Sequence, residues 1–544
     1  MNTRQLQTDK NQKLYHALLG ILLVCALAMM MLLSYWACKY SYYGAVDGRT
    51  RGVLVGDKTW AHIAVFLAAS LCTMGIDKVL MKKDKSQQEK ICLCTLIVTS
   101  VIAFILGVFY VCKNPYYPVG DQINTTAFAA YCRDGNFSML SIGGYVGMYQ
   151  QQKGLAILYE ILFTLFGDFN YRPAKILHVV WWILTILAGY GFLKLNTDRP
   201  VFRMLYCVMM LGCFPLLFYL PYIYGDVLSI SFGIILFYGV AAYEHSGQKR
   251  YIALASFAAG LAVLARKNTW VVLVAVAVYV LLVSLRKKKV RYLMAGTAIL
   301  LTAALSVKAV DVIYEVRSGY PSGVGIPSIL WVAMGLQETE GRAGVYNRYQ
   351  QATFTDYDCQ QELAAQQGKE YIRERLEEFS QDPGMAFNFF KNKVEGQWIE
   401  PMYAALESTE SFEEGAELSP VLESLYYGEL GRTIWKLTNY YQSILYLAGL
   451  MALVMLGILW WKKKEVPISL WLPWIAVFGG FLFSILWEAK SRYVFPYCVF
   501  MILYAPEGLY QTGLLLCKLP KLRKFKKSGH TQDKGEEASL RETA

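Results

Sequence analysis

Apolar residues arrive along the chain in blocks separated by short charged clusters. A helix needs about 20 mostly apolar residues to cross the ~30 Å hydrocarbon core of a bilayer. By that measure crossings fall near 14–35, 60–80, 91–112, 174–193, 203–221, 227–243, 251–265, 270–285, 292–312, 438–461, 466–487 and 494–516, about twelve in all. The blocks at 227–243, 251–265 and 270–285 are short, which leaves the count free by about two. The expected fold is an all-α polytopic membrane protein with surface helices on its outer face and a small, mixed or mainly helical extracytoplasmic domain.

The charges then set an orientation, because loops rich in Lys and Arg are retained in the cytoplasm. One alternating set holds Lys82, Lys83, Lys85 and Lys90; Lys194, Arg199 and Arg203; Lys249 and Arg250; Arg286 to Lys289 with Arg291; and Lys462 to Lys464. Arg4, Lys10, Lys13 and the tail from Lys518 through Lys527 fall on the same side, so both termini are expected in the cytoplasm. The first block is too long for a signal peptide and no small-residue cleavage site follows it, so it reads as a retained helix. Of 544 residues 55% are apolar and 17% charged, which excludes a disordered or collagen-like chain and a small disulfide scaffold. The net charge of +12 is a topology signal and does not point to nucleic acid. The basic, Phe-containing tail also suits anionic membrane lipids.

This gives a leading transmembrane hairpin (1–90), a transmembrane core (91–312), an extracytoplasmic domain (313–437), closing transmembrane helices (438–516) and a basic cytoplasmic tail (517–544). Within the first outer loop, 113–173, Leu155 to Phe166 reads as an apolar helix too short to span, lying along the membrane surface. In the domain, Lys369 to Glu378 reads as helix. The acidic run from Glu407 through Glu429 reads as a solvated loop, with acceptor or cation binding as the alternative.

Several chemistries have no support. The 12 cysteines contain no C-x-x-C pair, the five histidines are scattered, and no phosphate-binding or dinucleotide loop is present. A substrate would have to arrive already activated. What remains is a set of ionisable groups at the ends of crossings, where they are costly and tend to be functional. Asp121, with Gln122, follows a Pro- and Gly-stiffened exit from the third crossing. It suits a general base on an incoming hydroxyl, or else a helix N-cap. Tyr222, Tyr224 and Asp226 occupy a tight outer turn, either facing the same cavity or serving as an aromatic belt and cap. Arg266 and Lys267 are outer cations against the charge rule, held by an anion such as a lipid phosphate or by an ion pair with Asp226 or Asp121. Glu488, Lys490, Arg492 and Tyr493 form a fourth outer cluster, and Lys153 leads into the surface helix.

An outer Asp just past an early span, a surface helix in that loop and a large late outer domain together resemble the GT-C glycosyltransferases. The chain is most similar to bacterial members of the protein-mannosyltransferase and aminoarabinose-transferase type (family 39-like), over about 91–516. The resemblance implies that Asp121 is the acid at the reaction centre. It associates Arg266 in Leu264-Ala265-Arg266-Lys267-Asn268 with a lipid phosphate. It also likens Gln150 to Gly154 to the lead-in of the family's surface helix. Gln122 stands where protein mannosyltransferases carry a second acid, and the His-Pro-Pro lead-in is absent, which leaves the acceptor class open.

The expected activity is inverting transfer of a sugar from a polyprenyl-phosphate donor to an envelope glycan, lipid or protein at the outer face of a bacterial plasma membrane. Lys490 and Arg492 would join Arg266 and Lys267 on the lipid phosphate. Gln122, Lys153, Tyr222, Tyr224, Asp226, Glu488 and Tyr493 would contact substrate. No cofactor is required on this reading, and a divalent cation at Asp121 and Asp226 stays open. The alternatives are a flippase or transporter, or a polymerase of lipid-linked envelope polysaccharide.

Overall fold

A computed structural model describes residues 3–43, 53–464 and 466–518. The basic tail beyond residue 518 and the side chains of Arg4 and Lys10 lie outside the described residues. The chain opens with α1 (Thr3–Lys39), which runs into an antiparallel hairpin of β1 (Tyr40–Tyr43) and β2 (Val53–Gly56). Next come α2 (Thr59–Leu80) and α3 (Lys85–Lys113), the latter started by the Asp84 carboxylate, which accepts the Gln87 N–H at 2.9 Å. Past the end of α3 lie α4 (Asp121–Arg133), the one-turn α5 (Tyr145–Met148) and α6 (Lys153–Phe166). The chain then threads α7 (Arg172–Asn196), α8 (Pro200–Leu211), α9 (Phe214–Phe218), α10 (Asp226–Ser246), α11 (Lys249–Ala265), α12 (Trp270–Lys287) and α13 (Val290–Ser318).

A mainly helical domain follows. It contains α14 (Ile329–Gly335), the two-residue strands β3 (Glu338–Thr339) and β4 (Arg342–Ala343), α15 (Tyr349–Asp356), α16 (Gln361–Gln381), α17 (Pro383–Trp398), α18 (Ala405–Ser408) and α19 (Pro420–Tyr427). The chain closes with α20 (Glu429–Trp461), α21 (Leu472–Leu486), α22 (Ser491–Met501) and a last helix over 505–518.

Among the described residues nine helices are long and apolar enough to cross a membrane: α1 from Asn11, α2, α3, α7, α10, α12, α13, α20 and α21. The protein is a helical, multi-pass membrane protein. Three expected crossings differ from that pattern. The stretch 203–221 is not one helix: α8 ends at Leu211 with Gly212 as its cap, and α9 starts afresh at Phe214 with Pro215 in its first turn, where the missing N–H is tolerated but a continuing helix would need it. The stretch 494–516 is divided by turn residues at 502–504, beyond Pro496 inside α22. The stretch 251–265 is α11, a continuous helix of 17 residues.

Packing follows from small residues. α10 is the most enclosed of the nine, against α7 and α11. A β-carbon at Gly239 would lie 3.0 Å from both the Tyr251 carbonyl oxygen and the Ala255 methyl, so the bare glycine lets α10 and α11 pack closely at this point. The basic loops gather at one end of the bundle, where Arg203 meets Glu89 at 2.5 Å, Arg199 meets Asp77 at 3.1 Å and Lys287 meets Glu244 at 2.7 Å. The opposite end carries α4 to α6 and the helical domain. There the acidic run departs from a solvated loop: Tyr117 donates its N–H to Ser411 at 2.9 Å and Glu413 donates to Pro115 at 2.9 Å. This pairing anchors the segment that leads to Asp121.

The candidate functional site

The helical domain and the bundle enclose a cavity of about 930 Å³ between them. Its lining comes from five places: the start of α4, α5 with the turn after it, the 224 turn and the 265–271 junction, the domain around α14 and α15, and the 487–493 loop. Of the residues expected at a site, Asp121, Tyr224, Arg266, Lys267, Glu488, Lys490, Arg492 and Tyr493 all line it, although they are scattered along the chain.

Asp121 is the first residue of α4, and its backbone settles which of its two expected roles fails. Gly120, at φ +58°, holds the N-cap position, and no side chain caps this helix. The Asp121 carboxylate instead accepts the Tyr145 hydroxyl through Oδ1 at 2.7 Å. Burial, reinforced by the negative charge of Asp121, holds the Tyr145 phenol well above its ordinary range, so it stays a donor. Behind it, Gln152 donates to the Tyr224 hydroxyl at 2.6 Å and reaches Tyr145 at 3.5 Å. One carboxylate oxygen is thus fixed by a phenol, and the exposed remainder of Asp121 faces the cavity.

The two arginines are placed by one buried acid. Arg266 meets Asp226 Oδ2 at 2.5 Å, and Arg492 Nε lies 3.9 Å from Asp226 Oδ1. Both guanidinium groups also lie over tyrosine rings: Arg266 is 5.2 Å from Tyr224 and 5.3 Å from Tyr493, and Arg492 is 5.2 Å from Tyr222. The chain folds this way because Gly225 lets its turn close onto α11. A β-carbon there would sit 2.0 Å from the Ala265 carbonyl oxygen. One acid shared by two cations leaves net positive charge, and Arg492 Nε has no hydrogen-bond partner. Lys267 and Lys490 add charge at the rim, which makes this wall suited to an anion.

Glu488 is 7% exposed, with the Tyr493 hydroxyl 3.4 Å away. Burial pushes its carboxyl up to about 7, the nearby Asp121 charge pushes the same way, and Lys490 opposes both. Beneath it, Lys393 is buried and donates to the Gly335 carbonyl; burial pulls its ammonium down to about 7, with Glu488 opposing. The loop itself is tied to the domain, since Ala489 donates its N–H to Gly344 at 2.7 Å.

Four expected contact residues stand away from the cavity. Lys153 is turned inward, 2.5 Å from Asp311 and hydrogen-bonded to Gln150 and Ser322, because its stem is buried where α6 meets α13. Gln122 is buried and accepts the Tyr116 hydroxyl. Tyr222 lies beneath Arg492 as a platform. Asp226 is spent on the arginines and does not face Asp121. Among the described residues no group of three or more His, Cys, Asp or Glu is placed to hold a metal ion.

Gln152 and Asn268, which fall within the 150–154 and 264–268 runs but carried no expected role of their own, also line the cavity, together with residues that sequence reasoning passed over: Tyr145, Trp331, Tyr346, Arg348, Gln350, Gln351 and Trp487. Most sit on domain helices or loops with no motif to mark them. Tyr145 had a signal in its closeness in sequence to the expected surface helix, and Trp487 in standing next to Glu488. On one side the lining is apolar, with Trp270 and Val271 from α12 facing Phe483 and Trp487 from the end of α21. Compared with known proteins, the chain matches no family model, no curated protein and no solved structure.

Proposed function

We propose that the protein is a glycosyltransferase that uses a polyprenyl-phosphate-linked sugar at the outer face of the membrane, as the GT-C resemblance implies. The observation that carries this reading is the pairing, in one cavity at the bundle end, of a free carboxylate oxygen on Asp121 with the Arg266–Arg492 pair. Topology is consistent with it. With α8–α9, α11 and the 491–518 stretch counted beside the nine long helices, the chain crosses twelve times. The basic loops then lie in the cytoplasm and the cavity outside. The domain over 313–437 is extracytoplasmic on this reading.

Asp121 takes the proton of an acceptor hydroxyl. The acceptor oxygen bonds to the anomeric carbon as the bond from that carbon to the phosphate oxygen breaks, with inversion. Arg266 and Arg492 stabilise the charge that grows on the departing polyprenyl phosphate, while Lys267 and Lys490 hold the headgroup. The isoprenoid chain leaves through the apolar side, between the start of α12 and the end of α21. A monophosphate met by arginines needs no metal for this step.

The test is transfer from a radiolabelled polyprenyl-phosphate hexose in proteoliposomes. Asp121→Asn is expected to lower transfer at least ~100-fold while elution in detergent stays monodisperse. Unchanged transfer in that variant overturns the site. Flux of a lipid-linked sugar that survives Asp121→Asn, with no transfer by either protein, favours a carrier instead.

A further inference from the structure

Two phenols in the cavity share one amide. Asp121, Tyr145, Gln152 and Tyr224 all line it. They meet because two turns close onto the same end of α11. One is the turn at Gly225; the other is the start of α6, where a β-carbon at Gly154 would sit 2.6 Å from the Leu264 carbonyl oxygen. Gln152, just ahead of α6, is thereby brought beside Tyr224, and its Nε2 donates to the Tyr224 hydroxyl at 2.6 Å. The same nitrogen lies 3.5 Å from the Tyr145 hydroxyl oxygen.

The directions of these bonds follow from counting hydrogens. A phenol has one hydrogen to give and an oxygen that can accept. Tyr145 spends its hydrogen on Asp121 Oδ1 at 2.7 Å, so its oxygen can only accept, and the part of Gln152 that faces it must be the NH2 group. That group carries two hydrogens, one for each phenol. Tyr224 therefore also accepts from Gln152, and its own hydrogen is unspent: among the described residues nothing accepts it. Burial holds both phenols above their ordinary range, so neither ionises near neutral pH. The Tyr224 ring meanwhile lies 5.2 Å from the Arg266 guanidinium and 5.3 Å from that of Arg492. An anion on the arginines is the acceptor that this hydrogen lacks.

We propose that Gln152 is a positioning residue with two outputs: it keeps the Tyr145 hydrogen on Asp121, and it leaves the Tyr224 hydrogen for the anionic group that Arg266 and Arg492 hold. No proton leaves either phenol. The proposal rests on the glycosyltransferase reading, in which Asp121 is the base and the donor's phosphate is that anion. One side chain then sets both ends of the reaction.

The experiment uses full-length protein, with undecaprenyl phosphate binding read by thermal shift over a concentration series and transfer read in proteoliposomes. Tyr224→Phe and Gln152→Met are each expected to weaken binding about tenfold, and Tyr145→Phe to leave it unchanged. Tyr145→Phe is expected to lower kcat about tenfold without raising KM for the donor, and Gln152→Met to change both. Because the amide acts through the phenols, Gln152→Met added to Tyr224→Phe should weaken binding no further, which a merely structural side chain would not produce. Phenylalanine keeps each ring and removes one oxygen, so the tyrosine variants decide the matter even where Gln152→Met melts early. Binding by Tyr224→Phe as tight as the wild type's, or losses that add in full in the double variant, overturns the proposal. If undecaprenyl phosphate binds the wild type and these signatures are missing, the positioning role alone fails; if it does not bind, the transferase reading fails with it.

Discussion

Glu488 and Asp121 are two carboxyl groups in one cavity with opposite surroundings: Asp121 is exposed and held by a phenol, while Glu488 is buried beside a tyrosine. Burial raises the folded-state value of Glu488 from the ordinary 4.5 to about 7. Folding therefore favours its protonated form. Its contribution to stability is complete below about pH 4.5 and is lost as pH rises through about 7. The melting temperature of the wild type is expected to fall from about pH 5 to about pH 8 more steeply than that of Glu488→Gln. Parallel curves would show that this carboxyl does not titrate there. Glu488 was legible in the sequence, as were Asp121 and Arg266, because a charge at the end of an apolar block stands out against its neighbours. Lys153 misled for the same reason: it too sits at a block's end, but its counter-ion, Asp311, comes from a distant helix that sequence order does not bring near. Gln350 was invisible, since an amide on a polar helix has nothing unusual about it until packing seals it in.

The helices came through largely as the apolar blocks predicted, and the exceptions have local causes. A hydropathy pattern registers the mean apolarity of 203–221 and passes over the chain break that Gly212 and Pro215 impose. What the pattern cannot register is which turn of one element touches which turn of another. The turn before α10 meets the end of α11 through Gly225, and the Asp226–Arg266 pair depends on that approach. Gly225→Ala would press a methyl group into a backbone carbonyl that cannot move aside. It is expected to cost about 1–3 kcal/mol in thermal melts and to reduce transfer by displacing Arg266. A variant that melts and transfers like the wild type would mean the turn is free to shift.

The leading hairpin lies outside the 91–516 stretch that the resemblance covers, yet α1 lies along α20 and also touches α12 and α21. Its apolar face, including Leu23, Met30 and Leu33, is buried, and Gly449 and Gly457 of α20 open space for Met30 and Leu23. In lipid such contacts act by close packing, since the surrounding chains are as apolar as the helix itself. Removing residues 1–58 is therefore expected to give a polydisperse, inactive protein on size exclusion, whereas a monodisperse and active product would make α1 an accessory. The molecule's stability also has a second contributor. Two arginines share one buried carboxylate, so the protein without an anion carries an imbalance in its interior. Any phosphate that settles against Arg266 and Arg492 binds the folded chain and not the unfolded one, and stabilises it by RT ln(1 + [L]/Kd). On the proposed reading the donor's phosphate is that anion, so occupancy of the site and resistance to unfolding are the same equilibrium seen from two sides, and the loaded protein is expected to be the more durable one.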